Sequence, residues 1–128
     1  ARAMEQKQEN MAAYAWSLIA RESGKTESEE AIRRLKPSLS AQDIAQVRYN
    51  VAERYASGRG LPRDLVAADM WYALSEWGGN KNARAPMRDL ESQLTRAQLR
   101  EARLRASTWI RSHSTPAAQK QNPQTATR

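Results

Sequence analysis

Cysteine is absent from the 128 residues, which rules out disulfides, thiolate nucleophiles and Cys-ligated metals. Phenylalanine is absent too, and His113 is the single histidine. General acid–base work wants a group held in a pocket with a tuned pKa. His113 stands where the sequence turns polar, with no evident holder. Catalysis is therefore not expected, and no catalytic residue is assigned. No His-x-x-x-His or Cys-x-x-Cys spacing occurs, so neither a metal nor a cofactor is expected. Long apolar runs are missing as well. The longest, MAAYAWSLIA over 11–20, is about half of the roughly 20 residues that a membrane-spanning helix needs. No signal peptide is visible, and the sequence starts Ala1-Arg2-Ala3 without Met. A mature exported form and a trimmed form both fit that start. No period-two run bounded by turns is present, so strands are not expected. Acidic residues are outnumbered, 14 Asp and Glu against 21 Lys and Arg, for a net charge of +7. That balance favours acidic partners, whether a protein, nucleic acid or anionic lipid, and also serves plain solubility.

What the chain does have is self-similarity. Slid on itself by 55 positions without gaps, AAYAW from Ala12 falls on AADMW from Ala67, and Trp16 falls on Trp71. Ile19 meets Leu74, Gly24 meets Gly79, Leu35 meets Leu90, Ile44 meets Leu99 and Arg48 meets Arg103. The chain reads as two copies of one helical unit. Each copy has three helical parts. The first spans 5–23 and 65–78, where Ala12, Trp16, Ile19 and Ala67, Trp71, Leu74 repeat at i, i+4, i+7. Both tryptophans are expected in the core on that spacing. The second spans about 27–37 and 83–93. Thr26 and Glu29 read as its capping box in copy one, and Pro86 falls in its first turn in copy two. The third follows Ser40-Ala-Gln-Asp43 and Thr95-Arg-Ala-Gln98, each with a hydroxyl at the N-cap.

The stretch YASGRGLPRD over 55–64 joins two helices. Gly58 suits a left-handed helix end, Gly60 and Pro62 turn the chain, and Asp64 caps the next helix. A phosphate loop would need Gly-x-x-x-x-Gly-Lys-Ser/Thr after a strand, and neither is present. The expected fold is all-α: antiparallel helical hairpins, about five to six helices, forming one domain over 1–113. Beyond His113 the sequence STPAAQKQNPQTATR is polar with two prolines, and a disordered tail is expected over 114–128.

Tyr55-Ala-x-Gly58-x-Gly60-Leu-Pro-x-Asp64, then Ala67-Ala-x-x-Trp71-Tyr-x-Leu, then Gly79, resembles a Sel1-like repeat, a relative of the tetratricopeptide repeat. The resemblance covers about 42–111 and extends weakly back to about residue 10. Copy one departs from it, with Glu22 where copy two has Trp77 and no Gly-x-Gly turn or helix ahead of it. It looks like the second half of a repeat. Because such repeats need about three stacked units to bury a continuous core, either a closed bundle or a surface that needs a partner is expected.

The resemblance implies a non-enzymatic protein–protein interaction module, such as an adaptor or an accessory subunit of a bacterial envelope complex. A toxin-neutralising immunity protein of the same fold stays open, as does a basic nucleic-acid-associated protein. Bacterial members are frequently exported, so a periplasmic or envelope location is expected, and otherwise a cytoplasmic one. The candidate partner-binding residues are Tyr14, Tyr72 and Trp77 as aromatic anchors, with Arg96, Arg100, Arg103 and Arg111 as a basic stripe. At about 100° per residue those arginines fall in one sector of the last helix. The expected partner is another protein with an acidic surface, and nucleic acid is the less favoured one.

Overall fold

The computed structural model describes residues 2–113. The tail expected over 114–128 lies outside the described residues. Six α-helices form, in the order α1 (Arg2–Glu22), α2 (Ser28–Leu35), α3 (Ala41–Ser57), α4 (Leu65–Trp77), α5 (Arg84–Glu91) and α6 (Arg96–His113). Short 3-10 turns follow α2 at Lys36–Ser38 and precede α5 at Lys81–Ala83. The described residues contain no strand, and none of their helices is long and apolar enough to cross a membrane.

The caps account for the helix starts. Ser40 is extended, accepts from the Asp43 N–H at 3.0 Å, and its own N–H bonds the Asp43 carboxylate at 2.9 Å. Thr95 and Gln98 repeat the pair for α6, at 3.1 and 2.9 Å. The Asp64 carboxylate accepts from the Ala67 N–H at 3.0 Å to open α4. Gly58 ends α3 at φ 78°, its N–H bonding the Arg54 carbonyl at 2.8 Å. The expected Thr26–Glu29 box is a correction. Glu27, just ahead of α2, is already helical at φ −65°, so no extended residue directs a side-chain oxygen at the first N–H groups. Backbone turns do that work, with Glu29 N–H on the Thr26 carbonyl at 3.1 Å.

Helix α4 is the centre of the molecule, flanked by α3, α5 and α6. Its Trp71 and Leu74 are fully buried. The Ser75 hydroxyl, also buried, donates to the Ala45 carbonyl at 2.7 Å and ties α4 to α3. Small Ala68 sits in the same buried surface, letting the two backbones approach. In copy one, α1 packs on α2 and α3, as α4 packs on α5 and α6. Among the described residues nothing stands to α1 as α3 stands to α4.

That missing neighbour changes which face of α1 is buried. The Ala12–Trp16–Ile19 face is fully buried at its second-copy positions, Ala67, Trp71 and Leu74. In α1 the core instead takes Tyr14, Ala15, Leu18 and Ile19. Ala12 is exposed and Trp16 is 40% exposed, so the expectation of a core Trp16 does not hold. Trp71 has helices on two sides, whereas Trp16 has α3 on one. Its indole lies under the Arg54 guanidinium, 4.5 Å from the ring centre, and over Gly60. A Cβ on Gly60, at φ 83°, would come within 2.9 Å of that indole. The glycine turn is thus also the seat of Trp16.

Candidate protein-interaction surface

Of the expected anchors, the two tyrosines are not on the surface. Tyr14 and Tyr72 are both buried. Tyr72 shares its side of α4 with Asp69, and Asp69 is itself buried. Tyr72 packs edge-on against Tyr49 of α3 at 5.5 Å, and burial pushes its hydroxyl up to about 12. Tyr14 points into the side of α1 that faces the rest of the bundle. Its hydroxyl is raised by burial too, with Arg48 and Arg21 opposing.

Trp77 is 47% exposed and belongs to a cluster the sequence did not reveal. Arg48 of α3 reaches past the end of α4, donates to the Leu74 carbonyl at 3.3 Å, and so supplies a cation to that helix C-terminus. Its guanidinium lies 5.6 Å from the Trp77 ring and 4.8 Å from the Trp109 ring. Trp109 contacts Trp71 edge-on at 6.2 Å and Trp77 at 6.5 Å. On its other side His113 stacks at 4.0 Å, nearly parallel. His113 therefore does have a holder, and burial against it lowers the imidazole pKa. The sequence signal that was available was Arg48 standing three residues before Val51 on an apolar helix face. A half-buried cation there asks for partners.

Arg96, Arg100, Arg103 and Arg111 are all exposed on α6, in the sector predicted. Leu104, 60% exposed, lies beside them. By the 55-residue offset this flank corresponds to the side of α3 that carries Ala45, Arg48, Tyr49 and Ala56 and meets α4. Arg103 also faces inward. It lowers the pKa of Asp69, whose carboxyl burial and the neighbouring Glu91 of α5 push up to about 7. The Asp69 Oδ2 atom has no hydrogen-bond partner among the described residues. Two grooves run beside these helices. One, of about 330 Å³, lies between α1 and α3 and is lined by Met11, Ala12, Trp16 and Arg54. The other, of about 370 Å³, lies where α4, α6 and the C-terminal end of α1 meet and is lined by Met70, Leu104, Trp109 and Glu22.

The structure therefore brings together the four arginines, and it places Trp77 with Trp109 and Arg48 at the end of α4. It does not bring Tyr14 or Tyr72 to either patch. No protein-family model matches the chain, and neither a curated protein nor a solved structure matches it.

Proposed function

We propose that this chain is a non-enzymatic protein–protein interaction module of the Sel1-like repeat type. The observation that carries the reading is the uncovered flank of α1. Trp16 is 40% exposed where its repeat counterpart Trp71 is fully buried. Half-exposed apolar surface of this kind is surface that a further protein element can cover. The arginine flank of α6 adds a second, positively charged contact suited to an acidic protein. The module serves as an adaptor or accessory subunit of a bacterial envelope complex. An immunity protein of the same fold would use the same surfaces.

The test is capture from the native source with the tagged chain, nuclease added throughout, beside an Arg96/Arg100/Arg111→Glu variant. Arg103 is left intact because it also faces Asp69 and Glu91. Recovery of a specific protein despite nuclease, and its loss with the variant, is the expected result. Recovery of nucleic acid alone, abolished by nuclease and weakening steeply with salt, would overturn the reading in favour of a nucleic-acid-binding protein.

A further inference from the structure

The groove between α1 and α3 contains a cation without a carboxylate. Arg54 is half-buried there, its guanidinium 4.5 Å from the centre of the Trp16 ring. Arg59, in the turn after α3, lines the same groove. Among the described residues the ion pairs are Lys7–Asp43, Arg21–Glu29, Arg84–Glu76 and Arg105–Glu101, and neither Arg54 nor Arg59 is in one. A guanidinium resting on an indole keeps its edge N–H groups free, and those match a carboxylate with two parallel hydrogen bonds. The indole also holds Arg54 in place ahead of binding, which lowers the ordering cost of that contact.

The rest of the groove is apolar and amide. Met11, Ala12 and Ala15 line its α1 side. Asn50 lines its α3 side; its side-chain carbonyl already accepts from the Gln46 amide at 3.1 Å, which leaves the Asn50 amide nitrogen to donate to a ligand. Along α1 the lining runs from Gln8 to Trp16, about 12 Å at 1.5 Å per residue, the length of about four residues of extended chain. Resting on the reading of the Trp16 flank as a protein-binding surface, we infer that this groove takes an extended acidic segment of another protein. An Asp or Glu side chain pairs with Arg54 and Arg59, and a neighbouring aliphatic side chain lies on Met11 and Ala12.

Glu53 favours a peptide over a polyanion. It is half-buried on α3 and lines the same groove. A nucleic-acid backbone carries a charge at every phosphate and would meet both that carboxylate and the apolar α1 side. A peptide instead places one acidic side chain on the arginines and can donate a backbone N–H to Glu53.

The experiment selects displayed random twelve-residue peptides on the intact chain. Enriched sequences are expected to place Asp or Glu beside Leu, Ile, Val or Met. The best of them, synthesised with a fluorescein label, is then titrated by anisotropy. Arg59→Glu, an exposed turn position, weakens binding by about tenfold or more, as does raised salt. Arg88→Glu makes the same change of net charge at an exposed position of α5 and leaves affinity within about twofold. Ala12→Gln, which fills the aliphatic seat from an exposed helical position, also weakens binding without any change of charge. Enriched peptides without acidic residues, or equal effects of Arg59→Glu and Arg88→Glu, overturn the inference. So does a single-stranded oligonucleotide that displaces the peptide with the same sensitivity to Arg59→Glu. If no peptide is enriched while the chain still captures a protein through the α6 arginines, this site is lost and the interaction module stands. If neither finds a partner, both are lost.

Discussion

Replacing Asp69 with asparagine should make the stability of this protein less dependent on pH. Asp69 is buried between α4, α5 and α6, with the Glu91 carboxyl beside it and Arg103 opposing. Burial comes first among the causes and pushes the carboxyl from 3.8 up to about 7. Between those values the folded chain holds a proton that the unfolded chain has released. Stability from this group is therefore fully present below about pH 4 and is lost as pH rises through about 7. A gap of about three pH units at roughly 1.4 kcal/mol each gives about 4 kcal/mol, and that figure belongs to the Asp69–Glu91 pair rather than to one residue. Asparagine keeps the shape, cannot ionise, and can donate its amide to Glu91. Urea unfolding of both chains at steps from pH 4 to pH 8 is the assay. The stability of Asp69→Asn relative to wild type should climb by a few kcal/mol across the series, with equal urea slopes. Subtracting the two curves removes other titrations, such as Asp43, whose carboxyl the Ser40 N–H holds below its ordinary value. Parallel curves would refute the argument. A Glu91→Gln chain should flatten the profile only in part, since burial, the first cause of the shift, remains.

Two further predictions follow from the packing of the repeat-matched tryptophans. Trp71→Ala should lower unfolding stability by about 3–5 kcal/mol, because it empties a fully buried site, whereas Trp16→Ala should lower it by far less. Equal losses in urea unfolding would contradict the reading of Trp16 as a flank residue. Gly60→Ala should be destabilising by about 1–2 kcal/mol from its left-handed backbone alone. It should also shift Trp16 fluorescence, since the new methyl meets the indole. In a Trp16→Ala background only the backbone part should remain.

The helices and their starts were legible from local chemistry. Ser40 with Asp43, Thr95 with Gln98, Gly58 and Asp64 act within four residues of the ends they set, so neighbouring letters suffice to find them. Thr26 misled because the same letters cap only when the backbone ahead of the helix is extended, and Glu27 is already helical. Of the candidate surface, the arginine sector of α6 was legible because periodicity alone places those residues together. Tyr14 and Tyr72 were not. Their burial depends on which helices lie alongside, and Asp69, a carboxyl one turn from Tyr72, is itself taken into the interior beside Glu91.

By itself, then, the sequence determined the helical units, their 55-residue repetition and the turn chemistry between them, since each rests on spacing along the chain. The tertiary structure decided how many neighbours each helix has. Trp16 and Trp71 occupy one position of one motif, yet one is 40% exposed and the other fully buried. Burial is a property of what surrounds a side chain, and only packing in three dimensions puts α3 across α4 and, among the described residues, no helix across the matching flank of α1.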